Sequence, residues 1–352
     1  MQSCLAYSDI PNPTLTEEIV LGHRPDQLTI RMLEDLRIPQ TQPITTALST
    51  LPKTQFDFIA AQHAQFLTNE QRDFSSEKCH ALAVKELKAL SILLPQEQDL
   101  NTVLVLAAWF HYACFFDDVI ESLPAEDVRD TLQHCRKLLA MDWSKLVQDT
   151  VAPIDEKSVA IHMTQNLLVQ LATCLGPRVK AARFSHSIDI LWIGFEEEAD
   201  FFANGHRNPE SYLRFRQKTI SLDFVFAVLA DDLDINCGGI IERDLKALEI
   251  SVRLVLGFQN DLVGLRKDIE QGKKSNFVLV YRDAIAGGRC DLEPAVQEAV
   301  RRHNHEVSRS EILLKILAAG GQAEQRYTRK IFDLISNHHQ WMLMAKRYKA
   351  VC

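Results

Sequence analysis

Three carboxylates fall within five positions of "FFDDVIE": Asp117, Asp118 and Glu121. On a helix, four-residue spacing places Asp117 and Glu121 about 40° apart around the axis and about 6 Å along it, with Asp118 turned about 100° away. Two carboxylates on one face at a helix C-terminus, where the dipole is also negative, repel each other unless a cation lies between them. A solvated helix end is the ordinary setting of such a pair, so this motif alone is a weak metal signal. A second set lies in "FQNDLVGLRKDIEQGKKSNFVLVYR", residues 258–282. Asn260, Gly264 and Asp268 step by four and share a face. An amide, a backbone close approach and a carboxylate are hard oxygen ligands or room for one, which suits magnesium, an ion that keeps several of its waters. Lys267 stands beside them.

The elements that position these groups are helical. "DLNTVLVLAAWFHYACFFDDVIESL" must end near Pro124, which puts Asp117 and Glu121 in its last turns. Behind them on the helix lie Phe110, Ala113 and Cys114. The second set sits late in a helix expected from about Glu242 to Gly272. Gly-Gly pairs at 238–239, 287–288 and 320–321 stop three helical patterns. Pro209 suits a first helical turn, with Asn208 as its N-cap. Prolines crowd the first sixty residues, so the pattern predicts an irregular N-terminal segment, 1–60, packed on one all-α domain, 61–352.

Composition narrows the function. With 352 residues, 46% hydrophobic, the chain can bury a large core, and its net charge of −8 argues against a nucleic-acid partner. A small phosphorylated ligand held by a few local cations remains compatible with it. Eight scattered cysteines without a CxxC pair suggest reduced thiols rather than a zinc site or disulfide scaffold. The N-terminus lacks the pattern of a signal peptide. The apolar run Thr102–Phe116 is fifteen residues long and contains His111, short of the ~20 a membrane span needs. The expectation is a cytoplasmic protein with a buried helix here.

Other polar clusters read as structural. "DDLD" at 231–234 runs into a turn and is expected to be a solvated helix end; "HNH" at 303–305 and the pair His338-His339 are expected at the surface. Arg326-Tyr327 lacks a preceding Trp. Arg214 competes with Arg216, but Arg216 lies nearer the apolar line of Leu213, Ile220 and Phe224. An arginine at the edge of an apolar face calls for an anionic partner, and diphosphate is one.

DDxxE followed about 140 residues later by N-D-L-x-G-x-x-K-D resembles the paired motifs of microbial class I terpene synthases. "YLRFRQKT" supplies Arg216 about 45 residues before the second motif, and "WMLMAKRY" supplies Trp341, Arg347 and Tyr348. The likeness spans about residues 100–348, and the order and spacing of four motifs make it specific. It implies a single helical bundle and three Mg2+ ions. Asp117 and Glu121 would serve the first metal motif, and Asn260, Gly264 and Asp268 the second. Arg216, Lys267, Arg347 and Tyr348 would bind the diphosphate of a linear isoprenoid. Phe110, Ala113, Cys114, Thr219, Ile220, Phe224 and Trp341 would contact its hydrocarbon chain, the aromatic rings stabilising passing cations by about 0.5–2 kcal/mol each. Homodimers are common in the family.

Two positions depart from the family pattern: Gly264 replaces a ligand hydroxyl, and Asp268 is one methylene shorter than the commoner Glu. The implied reaction is cyclisation of farnesyl diphosphate, with geranylgeranyl diphosphate as the alternative substrate. A chain-elongating prenyl transferase would share the fold, but it carries a second aspartate-rich motif where this chain has "NDLVG".

Overall fold

Local sequence signals set the helix ends of this chain. The computed structural model describes residues 34–39, 51–70, 74–97, 99–146, 155–176, 182–205, 208–233, 240–286 and 291–345. Among the described residues there is no strand, and twelve α-helices are defined together with one 3-10 turn. They are α1 Lys53–Glu70, α2 Ser76–Leu93, α3 Leu100–Ser122, α4 Ala125–Leu139, α5 Glu156–Leu175 and α6 Ala182–Ala203, then α7 Pro209–Thr219, α8 Leu222–Asp232, α9 Ile240–Glu270, α10 Phe277–Ala286, α11 Glu293–Leu317 and α12 Gln322–Met344. Helix α1 starts at Lys53, with its first amides on the Pro52 carbonyl, so helical structure begins before the expected boundary at residue 60.

The chain forms two compact units. One, here the α3 unit, comprises residues 42–199 and 221–235; the other, the α9 unit, comprises 1–41, 200–220 and 236–352.

In the α3 unit, Asp99 caps α3 by accepting from the Thr102 amide at 2.7 Å, and Leu123 and Pro124 end it. Helix α3 is long and apolar enough to cross a membrane by length and composition, but 67% of its apolar window is buried inside the protein, as in a core helix. It packs on α5, where the Tyr112 hydroxyl lies 3.1 Å from Thr164 Oγ1. Tyr112 also stacks on Phe116 of its own helix at 4.5 Å between centroids, and the Trp192 indole on α6 donates to the Tyr112 hydroxyl at 3.1 Å. His111, the polar residue of this run, is fully buried, and its Nδ1 pairs with Glu86 at 2.8 Å. Glu86 also binds His63 at 2.7 Å. Burial opposes ionisation of Glu86, but the two histidines overcome it and hold its pKa down to about 2.

In the α9 unit, α9 packs along α11 and α12. Asn208 caps α7 as expected, its side chain accepting from the amides of Glu210 and Ser211. The end of α9 is a Schellman turn. Gly272 adopts φ +66°, the Gly272 amide bonds Ile269 O at 3.1 Å, and the Lys273 amide bonds Asp268 O at 2.8 Å. A side chain at 272 would strain this left-handed backbone, so glycine sets the point where the chain turns back toward α10.

The histidines differ from expectation. His303 and His338 are buried, at 0% and 6% exposure, while His339 is half-buried and His305 exposed. Gln259 Oε1 accepts from His338 Nδ1 at 2.8 Å; Gln259 Nε2 donates to Ile335 O at 3.0 Å and reaches His303 Nε2 at 3.3 Å. Burial lowers the pKa of His303 to about 4 and of His338 to about 3, so both stay neutral at neutral pH. The signal for burial was periodicity, because Ala299, His303, Val307 and Ser310 form one inward stripe of α11. Asp231 also differs: its side chain is only 15% exposed and lies 4.0 Å from Arg183. Of the cysteines, Cys79, Cys114, Cys135 and Cys174 are free thiols.

Candidate active site

The last turns of α3 bring Asp117, Asp118 and Glu121 together, with carboxylate oxygens all within 4.8 Å of one another. Asp117 and Asp118 are half-buried and Glu121 is exposed. Inclusion of Asp118 corrects the face argument from sequence. Asp118 and Glu121 are three residues apart, which also makes neighbours on a helix, and two rotatable side-chain bonds cover the remaining angle. Three hard, negatively charged oxygen donors this close fit a divalent cation of the magnesium type and repel one another without one. One turn earlier, Phe110, Ala113 and Cys114 are half-buried. In the same unit Phe224 on α8 is fully buried and stacks on Trp109 with centroids 4.4 Å apart, while the Trp109 indole donates to Ser221 O at 2.9 Å.

In the α9 unit, Asn260, Gly264, Lys267 and Asp268 lie on α9 within its last three turns. Gly264 is buried, whereas Asn260, Lys267 and Asp268 are half-buried. Burial raises the pKa of Asp268, opposed by a hydrogen bond from Asn276 and by the charges of Lys273, Lys267 and Arg216. Two oxygen donors on one face suit the same class of cation as the acidic end of α3, and glycine supplies no third.

Arg216 projects from α7 with 15% of its side chain exposed, whereas Arg214 is exposed. Its Nη2 donates to Asp261 Oδ1 at 2.7 Å. Asp261 Oδ2 also accepts from the Tyr212 hydroxyl at 2.8 Å and from the Phe277 amide at 3.0 Å. Burial raises the pKa of Asp261, while Arg216 and these two donors favour the ionised form. Thus Arg216 is anchored by a buried carboxylate that the sequence reading passed over. The available signal was Tyr212 and Arg216 at i, i+4 on a short helix, both needing a buried acceptor. Thr219 and Ile220 close α7, and Thr219 Oγ1 is 3.4 Å from Arg216 Nη1. Trp341 is half-buried, packs against Val263 and Met342, and lies 5.6 Å from the His338 ring. Arg347 and Tyr348 lie outside the described residues. An open groove of about 750 Å³ in the α3 unit is lined by Arg136, Trp143 and Asp189 among others and contains none of the sequence-predicted residues.

Position 264 yields a test. Gly264→Ser is expected to keep turnover within a few-fold, since a hydroxyl adds an oxygen donor with little volume. Gly264→Leu is expected to lose it, because a bulky side chain enters a buried position beside Asn260 and Asp268. Steady-state rates of the two variants decide the point, and equal activity for the leucine variant would remove position 264 from the site.

Comparison with known proteins agrees with this picture. The solved structures most like the chain include a reconstructed ancestral protein, SVS_A2 (TM-score 0.66, 15% identity, 88% of this chain and 89% of that one). They also include an α-eudesmol synthase (0.62, 16%, 88% and 98%). A third is linalool/nerolidol synthase from Streptomyces clavuligerus (0.59, 17%, 87% and 99%). At these identities they establish the fold, that of the class I terpene synthases. A search of curated proteins returns no significant match. The family model "Terpene synthase family 2, C-terminal metal binding" matches residues 108–309, more than half of the chain, from the helix of the acidic cluster through α9 and into α11. The chain therefore belongs to terpene synthase family 2 and is a terpene synthase with a metal-binding domain.

Proposed function

We propose that the protein is a class I terpene cyclase that converts farnesyl diphosphate to a sesquiterpene with release of diphosphate. The observation that carries this reading is the convergence of Asp117, Asp118 and Glu121 within 4.8 Å at the end of a buried apolar helix. Asp117, Asp118 and Glu121 at one motif, and Asn260 and Asp268 at the other, would hold divalent ions, taken as three Mg2+. When bound, these ions offset the charge of the diphosphate and make it a better leaving group. Arg216, Lys267, Arg347 and Tyr348 bind and orient the diphosphate through charge-assisted hydrogen bonds. The Asp261 carboxylate, 2.7 Å from Arg216, keeps the guanidinium oriented before substrate arrives. The hydrocarbon chain lies against Phe110, Ala113, Cys114, Thr219, Ile220 and Trp341, whereas Phe224, fully buried and stacked on Trp109, is a core ring with no surface to offer it. These apolar surfaces exclude water while the allylic cation cyclises, and the aromatic faces stabilise positive charge as it moves.

Substrate length rests on two opposed arguments. Fifteen-carbon substrates are the commoner choice among microbial relatives. Linalool/nerolidol synthase, a structural neighbour, was solved with 2-fluorogeranyl diphosphate, an isoprenyl diphosphate analogue. Against a C15 substrate, Ala113 and Cys114 are small, and a C20 chain gains about 0.8 kcal/mol for each further methylene it buries. The family preference outweighs two small residues on one helix, because other side chains can fill the same space.

The test is incubation of the purified protein with Mg2+ and C10, C15 and C20 diphosphates, alone and in competition, with product analysis by mass spectrometry. A cyclic C15 product is expected to dominate. A dominant cyclic C20 product would transfer the assignment to geranylgeranyl diphosphate, and Ala113→Phe would then shift the ratio back toward C15. Chain lengthening on addition of a five-carbon diphosphate would identify a prenyl transferase instead.

A further inference from the structure

We infer that Asn276 is a positioning residue for the metal ligand Asp268: it occupies one carboxylate oxygen and so makes Asp268 a ligand through the other. The inference rests on the reading of Asp268 as a metal ligand. Asn276 is fully buried at the N-cap of α10, where its Oδ1 accepts from the Val278 amide at 3.0 Å. Its Nδ2 carries two hydrogens and has two acceptors, Asp268 Oδ2 at 2.8 Å and the Asp261 carbonyl at 2.7 Å. The amide cannot be reversed, because Oδ1 would then face two acceptors and Nδ2 would face a donor. Every polar atom of the side chain is satisfied in this one orientation.

The Schellman turn brings this about. With Gly272 at φ +66° and the Lys273 amide on Asp268 O, the chain folds back so that residue 276 lies under the carboxylate eight positions earlier. The shorter Asp, standing where the family more often has Glu, is thereby held at a fixed height with Oδ2 occupied and Oδ1 left for the ion. A ligand carboxylate held by a buried hydrogen bond keeps its orientation when the metal leaves, and loss of such a partner typically costs about 10–100-fold in metal affinity. The same amide ties Asp268 to residue 261, whose side chain holds Arg216.

Two substitutions separate positioning from capping. Asn276→Ser and Asn276→Asp both retain an oxygen that can cap α10. The serine hydroxyl, however, stops one atom short of the Nδ2 that reaches Asp268, and the ionised aspartate has no donor and sets a second negative charge against it. Binding is read from the electron paramagnetic resonance of free Mn2+ during titration in the presence of inorganic diphosphate, so that no turnover is needed. Both variants are expected to keep native circular dichroism and to bind Mn2+ about 10–100-fold more weakly. In an Asp268→Ala background, Asn276→Ser is expected to add no further loss, because the two residues act as a unit. Unchanged Mn2+ affinity in both variants, an additive loss in the double variant, or failure of both to fold would each overturn the inference. If Asp268→Ala by itself leaves Mn2+ affinity unchanged, the assignment of Asp268 as a ligand fails instead, which keeps the two failures distinct.

Discussion

Asp117→Ala, Asp118→Ala and Asn260→Ala are each expected to lower turnover by about 10²–10³-fold or to background while the protein keeps its helical circular dichroism. Half-buried Asp117 and Asp118 stand at the C-terminal end of α3, where the dipole and the Glu121 carboxylate oppose more negative charge. A half-buried side chain at a helix end contributes little to the core, so the folded state should stay within about 1 kcal/mol of the native protein. Loss of function without loss of fold is therefore the signature of a ligand, as opposed to a structural acid. Asp118→Ala is the sharper case. Helical angle alone would leave it nearly silent, whereas the 4.8 Å convergence of all three carboxylates predicts a large effect. The check is steady-state turnover across a Mg2+ titration, with unfolding followed in parallel. A variant at either motif that retains near-native turnover with unchanged helicity would remove that residue from the metal site.

The second large effect is at the buried pair Arg216–Asp261. Asp261→Ala leaves a guanidinium, a tyrosine hydroxyl and the Phe277 amide without their shared acceptor in an environment where Asp261 itself is 1% exposed. Removing one partner of a buried ion pair costs about 3–5 kcal/mol, a large fraction of the ~5–15 kcal/mol that holds a domain folded. The expected result is a strongly lowered urea midpoint together with lost activity. Arg216→Lys separates the two roles. Lysine still offers Asp261 a cation, so much of the stability should remain. It lacks the planar fork that serves a carboxylate and a diphosphate at once, so turnover should still fall by about 10²-fold or more. If Arg216→Lys turns over at the native rate, Arg216 is a structural partner of Asp261 and does not bind diphosphate.

Several features of this protein were legible in its residues alone. Pro124 stops α3 just beyond Glu121, Asn208 and Pro209 start α7, and Gly272 ends α9, because each acts through its own backbone geometry or its nearest amides. The two candidate ligand sets could be placed on their helices for the same reason, since four-residue steps on a helix need no knowledge of the rest of the chain. The all-helical architecture followed from the same periodicity.

Tertiary structure decided the groups that meet across elements. Asp261 was visible beside Asn260, but only the packing of α7 against α9 and α10 gives it Arg216, Tyr212 and the Phe277 amide as partners. His303 and His338 look like surface residues when judged by polarity. They are core residues because Gln259, from a third helix, satisfies both. Asn276 in sequence is one more polar residue in a Gly-Lys-Lys-Ser loop, and its value comes from a glycine turn that carries it back to Asp268. Helix ends and helix faces are local properties written in neighbouring residues. A buried polar side chain takes its meaning from whichever distant group satisfies it, and that pairing exists only once the helices have packed.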